Sequence, residues 1–158
     1  MSSSQICYME SIFRKNHQKE YWIQFIINAL IILWIYTAGS KLMGLEDFKR
    51  QLALQPFGSV INSMLVYALP AIEILTAVLL TVKKTKTTGL VLSAVLLTVF
   101  TLYVLLVVVG YFTKMPCSCG GVLEFLSWKA HLIFNVFFLT INLIALYQYK
   151  FKKGGPGA

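Results

Sequence analysis

The chain has 158 residues and a formal net charge of +8, yet only 13% of it is charged while 58% is hydrophobic, and the mean hydropathy is +0.72. Such a composition lies outside the range of soluble domains and defines an integral membrane protein. The basic surplus raises nucleic-acid binding as a function, but the placement of the charges between apolar runs excludes it in favour of a membrane topology signal.

A span needs about 20 mostly apolar residues, and four windows qualify: residues 22–39, 61–82, 88–112 and 130–149. The expected fold class is therefore an all-α, four-helix transmembrane bundle, with one transmembrane domain over 21–149 and no internal linker. Residues 1–20 read as a polar cytoplasmic segment without the apolar core of a secretory signal. Residues 150–158 read as a basic tail ending in Gly154-Gly155-Pro156-Gly157-Ala158, a vector-derived scar or a disordered end.

Nine of the fourteen basic residues fall on one side of the bundle: Arg14, Lys15 and Lys19; Lys83, Lys84 and Lys86; Lys150, Lys152 and Lys153. Lys41, Lys49, Arg50, Lys114 and Lys129 fall on the other. The positive-inside rule then expects both termini in the cytoplasm and the connections between spans 1 and 2 and between spans 3 and 4 outside.

Span 1 opens on Tyr21 and Trp22, aromatics suited to the headgroup level, and closes on Ala38-Gly39-Ser40-Lys41. Gln24 and Asn28, four apart, share a face and read as interhelical hydrogen-bonding groups. Between spans 1 and 2, Leu45, Phe48, Leu52 and Leu54 alternate with charged residues at near-helical spacing. This predicts a short amphipathic helix at the outer interface, ended by Pro56 and Gly58, which caps the bundle or receives a partner.

Span 2 contains Leu69-Pro70-Ala71-Ile72-Glu73. Pro70 removes a backbone donor and predicts a kink. Glu73 is an intramembrane carboxylate that must stay protonated or find a cation. Lys41 is the cation with the reach, so a Lys41–Glu73 pair that fixes packing stands beside a proton-relay or substrate-contacting role for Glu73. Span 3, with Tyr103 near its middle, is nearly all apolar and reads as the most lipid-exposed, plainly structural helix. Span 4 carries Asn135 and Asn142, seven apart and on one face, expected to point into the bundle.

The segment Met115-Pro116-Cys117-Ser118-Cys119-Gly120-Gly121 before span 4 holds two of the three cysteines. A disulfide across one intervening residue departs from relaxed geometry and is easily reduced, and so short a loop makes a poor staple. Gly120 and Gly121 permit close approach of a partner thiolate. Lys129 and His131 supply nearby charge to stabilise thiolate; a bland interfacial role for His131 and a solvated role for Glu124 remain open. A metal site built on Cys117, Cys119 and His131 is the rival chemistry, disfavoured by the spacing and the missing fourth ligand, so no metal is expected. Cys7 falls on the cytoplasmic side and reads as a free thiol.

Taken in order, Tyr36-Thr37-Ala38-Gly39-Ser40-Lys41-Leu42, Phe48 and Leu52, Leu69-Pro70-Ala71-Ile72-Glu73, and Cys117-Ser118-Cys119-Gly120-Gly121 resemble the MauE-like branch of the DoxX-like membrane proteins, over about Tyr21 to Tyr149. The resemblance implies a four-helix bacterial inner-membrane bundle. It also implies thiol and disulfide exchange with a periplasmic thioredoxin-like partner, the association described for MauE in maturing a disulfide-rich dehydrogenase. The outline is also similar to DsbB and the vitamin K epoxide reductases, which makes a quinone the one candidate cofactor. Those families use Cys-x-x-Cys and usually a second pair, which this chain lacks. The expectation is thus a thiol:disulfide oxidoreductase or redox-relay subunit acting through Cys117 and Cys119. His131 is expected beside them as a catalytic residue, and the expected supporting residues are Lys41, Glu73, Lys129, Asn135 and Asn142. Against it stand a non-enzymatic scaffold or small transporter subunit and a quinone-linked DoxX-type oxidoreductase.

Overall fold

The structure is a computed structural model that describes the backbone of residues 3–55, 58–110 and 127–153. Among these residues five α-helices follow in order: α1 (Ser3–Met43), α2 (Leu45–Ala53), α3 (Ser59–Thr81), α4 (Lys86–Val108) and α5 (Trp128–Lys153). Four stretches within them are long and apolar enough to cross a membrane, Glu20–Met43, Ser59–Thr81, Lys86–Val108 and Trp128–Lys150. The protein is thus an all-helical, multi-pass membrane protein, as the composition requires.

The helix limits depart from the sequence expectation in ways that local chemistry explains. Helix α1 begins at Ser3, ahead of the apolar span, because no Gly or Pro interrupts that stretch. Helix α4 stops at Val108 rather than 112. Gly110, at φ +83, takes the left-handed position just past the helix end and donates its N–H to the Val107 carbonyl, a stop that an L side chain resists. Helix α5 starts at Trp128, two residues early, since Ser127 accepts a hydrogen bond from the Ala130 N–H as an N-cap.

Packing is most extensive between α4 and α5 and between α1 and α3, followed by α3 with α4 and α1 with α5, so the spans form a ring in the order α1, α3, α4, α5. Cross-links fix their direction. Lys86 Nζ at the start of α4 donates to Gln24 Oε1 at the start of the α1 span, whereas Gly89 of α4 abuts the backbone of Leu79 and Leu80 at the end of α3. Helices α1 and α4 therefore run one way and α3 the other; the Ser93–Asn142 bond in the middle of the bundle, with His131 near Tyr103 further out, sets α5 antiparallel to α4.

The apolar core gathers Ile27, Leu30, Leu33, Trp34, Ala77, Leu80, Leu90, Leu96, Leu97 and Ala145, while Ile32, Val78, Val95, Val99, Ile133 and Phe137 face outward, as expected where lipid is the solvent. The α4 span is not the most lipid-exposed. A smaller share of the α5 window is buried, 22% against 28%, because α5 packs less extensively on α1 than α4 does on α3.

Helix α2 is the amphipathic element the spacing predicts. Phe48 and Leu52 are buried against Val66 of α3, with Leu45, Leu65 and Leu69 around them. Leu54 departs from the expectation: it is exposed, since the helix ends at Ala53 and Leu54 no longer follows its periodicity. The expected stop at Pro56 lies outside the described residues.

Candidate functional site: a polar cavity in the outer half of the bundle

One layer of hydrogen bonds divides the bundle interior. Trp34 Nε1 of α1 donates to Ser93 Oγ of α4 at 2.9 Å, and Asn142 Nδ2 of α5 donates to the same oxygen at 2.8 Å. All three residues are buried, and such a network links three helices that apolar contacts alone would leave free to rotate. Ser93 lies in the span that sequence reading left without chemistry. A lone Ser among Leu and Val in an apolar helix was the available signal.

Beyond this floor, on the side where α2 lies, is a cavity of about 260 Å³. Aromatic and aliphatic groups form its walls, among them Trp34, Leu69, Phe100 and Phe134; Lys41, Glu73, Tyr103, His131 and Asn135 bring polar atoms to it. Lys41 Nζ donates to Glu73 Oε1 at 2.8 Å and to the Thr37 carbonyl at 3.2 Å. Both partners are buried, so the expected pair exists. The Lys41 side chain lies back along α1, as helix side chains do, and α2 covers it with the Phe48 ring, 6.0 Å away.

Two groups at the cavity are left with hydrogen-bonding capacity. Among the described residues, Glu73 Oε2 and Asn135 Nδ2 are buried and have no hydrogen-bond partner. One is an acceptor and the other a donor, so the site is equipped for a polar group of either kind, or for water. His131 is buried at the first turn of α5 and lines the same cavity.

His131, expected as catalytic, and the five supporting residues expected from sequence thus separate into three places. Lys41, Glu73, His131 and Asn135 line the cavity. Asn142, seven residues or about 10 Å further along α5, belongs to the floor. Lys129 is exposed and turned away from His131, since residues two apart on a helix point to nearly opposite sides. Tyr103 and Gln55, which sequence reading gave no role, join at the cavity edge through a hydrogen bond from Tyr103 Oη to Gln55 Oε1 of 2.7 Å. Gln24 and Asn28 bond to each other within α1, with Gln24 also accepting from Lys86 across helices.

Cys117, Cys119, Glu124 and the Cys7 side chain lie outside the described residues. In sequence, Cys117 and Cys119 fall between α4 and α5, within the segment that joins the cavity-side ends of those helices. Among the described residues, no three His, Cys, Asp or Glu side chains gather as a metal ion would require.

Fold and site together define a four-span helical membrane protein with a buried ion pair facing an intramembrane cavity. The model of the family described as methylamine utilisation protein MauE matches residues 19–148, and the chain belongs to that family. Searches of curated proteins and of solved structures give no match.

Proposed function

We propose that this protein is a thiol:disulfide oxidoreductase or redox-relay subunit of the bacterial inner membrane, serving a methylamine-utilisation system of the kind its family is named for. Cys117 and Cys119 face the periplasm, both termini face the cytoplasm, and the partner is a periplasmic thioredoxin-like protein. The observation that carries the reading is the cluster of Lys41, Glu73, His131 and Asn135 in a cavity at the same end of the bundle as the cysteine-bearing segment. Charged and hydrogen-bonding groups are costly there, and their usual use is in function.

The exchange conserves two electrons and two protons. One thiolate of the pair attacks the partner disulfide to form a mixed disulfide, releasing one partner thiolate; the other cysteine then displaces the second. A Cys117–Cys119 disulfide and a partner dithiol result, and the reverse direction returns both. His131 accepts or returns a proton at the cavity end of α5, and Lys129 stabilises thiolate from the exposed face.

Differential alkylation of thiols in intact cells tests this. The pair should be found in both oxidation states, and Cys117→Ser or Cys119→Ser should accumulate a mixed disulfide with an envelope protein. A pair held in one state under oxidising and reducing growth alike, or full retention of function in the Cys117→Ser, Cys119→Ser double variant, would favour a scaffold role instead.

The cavity itself favours a second reading, a quinone-linked oxidoreductase of the DoxX type. A lipid-soluble quinone fits the lining on two counts: aromatic walls for a flat ring, and the unmet Asn135 donor and Glu73 acceptor for its oxygen in the carbonyl or hydroxyl form. Such a group supplies a sink for two electrons and two protons. Mass spectrometry of the purified protein for a bound quinone distinguishes this from a bare thiol relay.

A further inference from the structure

The exposure of the cavity lining is uneven. Every residue that α1 contributes, Leu33, Trp34, Thr37 and Lys41, is buried, and so are His131 and Asn135 of α5. Phe134 of α5 is half-buried, but the other half-buried and exposed lining residues concentrate on α3 and α4: Leu65 and Leu69 on one, Phe100 and Tyr103 on the other, and Val99, which is 56% exposed. Helix geometry gathers them at one seam. Gly89 touches α3 directly, and Phe100 and Tyr103 follow at 11 and 14 residues, about three and four turns on, so they share its stripe. Val99 is next to that stripe on the lipid side.

The top of this seam is closed by Gln55, at the C-terminal end of α2. Its carbonyl accepts from Asn62 Nδ2 of α3 at 3.3 Å and its side chain from Tyr103 of α4 at 2.7 Å, so a single residue joins the two helices across the opening. These bonds are short-range and polar, and α3 packs on α4 less extensively than α4 on α5 or α1 on α3.

The geometry points to a lateral gate. We infer that the cavity is loaded from the bilayer between α3 and α4, past Leu69 and Val99, by a membrane-partitioned ring compound bearing carbonyl or hydroxyl oxygen, and that the Tyr103–Gln55 hydrogen bond is the latch. This inference rests on the quinone-linked reading. It adds the route, and the residues that control rate without touching the polar end of the ligand.

Trp34 lines the cavity and reports the test. Protein carrying Trp22→Phe and Trp128→Phe, in lipid nanodiscs, is mixed rapidly with a decyl-substituted benzoquinone while Trp34 emission is followed. A saturable quench is expected. Val99→Phe and Leu69→Phe, made separately, should slow it by about tenfold at unchanged final amplitude, and Tyr103→Phe, which removes the latch hydroxyl, should speed it severalfold. Saturable quenching whose rate ignores all three substitutions overturns the gate and leaves the cavity as a binding site. Absence of a saturable component, with Trp34 quenched instead by brominated acyl chains of the disc lipids, overturns the ligand class and the quinone-linked reading together. Tyr103→Phe removes no bulk from the core, so it decides the question even if a larger side chain at Val99 or Leu69 misfolds.

Discussion

At the scale of single residues, the Lys41–Glu73 pair shows how an intramembrane charge is tolerated. Neither partner is stable there alone, because an ion in low dielectric keeps only the solvation its neighbours provide. Glu73→Gln leaves the Lys41 ammonium buried without a counter-charge and should cost about 3–5 kcal/mol of stability. The paired change Lys41→Met with Glu73→Leu should restore most of it, since the desolvation of both ions is removed at once. Unfolding in detergent, followed by helix content, reads both. If the pair is purely structural, the double variant keeps function. If it takes part in proton transfer, the double variant is stable and inactive, a separation that no single substitution gives.

The same pair marks how far sequence carries at this scale. A carboxylate in an apolar run demands a cation, and Lys41 was the one within reach, so the contact was legible. The Trp34–Ser93–Asn142 bond was not, because a Ser in a Leu- and Val-rich helix satisfies itself as easily on its own backbone as across a bundle. Two Thr residues on these helices do that: Thr98 donates to the Ala94 carbonyl, and Thr76 to the Ile72 carbonyl. Only the meeting of three helices selects Ser93 for the cross-link. Ser93→Ala should therefore strand the buried Trp34 and Asn142 donors and cost about 1–3 kcal/mol, whereas Thr98→Ala should be nearly silent in the same unfolding measurement.

Among the elements, α3 and α4 are held by close backbone approach where α1 and α3 are held by charge. A Cβ built on Gly89 would lie 2.8 Å from the Leu80 nitrogen and 2.9 Å from the Leu79 carbonyl carbon, both backbone atoms that cannot swing aside. Gly89→Ala should force the helices apart and cost about 1–3 kcal/mol. It should also widen the α3–α4 seam, so Trp34 quenching by the quinone probe should accelerate. Gly39, in the interior of α1, meets nothing within 4 Å. There the same substitution relieves a helix-interior glycine and should stabilise by about 0.5–1 kcal/mol. The two glycines look alike in sequence, each in an apolar helix, and only the neighbouring backbone distinguishes them. Hydrophobic length gave all four spans and spacing gave α2, because those are properties of one segment. The limits of α4 and α5 depended on caps at Gly110 and Ser127, which a hydropathy window averages away.

For the whole molecule, an antiparallel ring of four spans carries both ends of the transmembrane domain to one face and the segment from 111 to 126 to the other. On the proposed orientation the charge asymmetry sets which face is the cytoplasm, and with it whether Cys117 and Cys119 sit where a disulfide persists. It can be tested without reference to activity. A periplasm-active phosphatase fused after residue 153 should be inactive, and the same reporter inserted at residue 121 should be active. Shifting the charge balance provides the sharper test: replacing Lys83, Lys84 and Lys86 with Gln, and adding three lysines beside Lys114, reverses the excess in the two connecting faces of α4. Lys86 also bonds Gln24, so Lys86→Gln alone controls for lost packing. If the positive-inside bias sets the topology, the triple change with added lysines should yield a mixed population in both reporters, and the fraction with Cys117 and Cys119 facing the cytoplasm should be found fully reduced. Unchanged reporter activity would mean that the geometry of the bundle, and not the flanking charge, holds the cysteines outside.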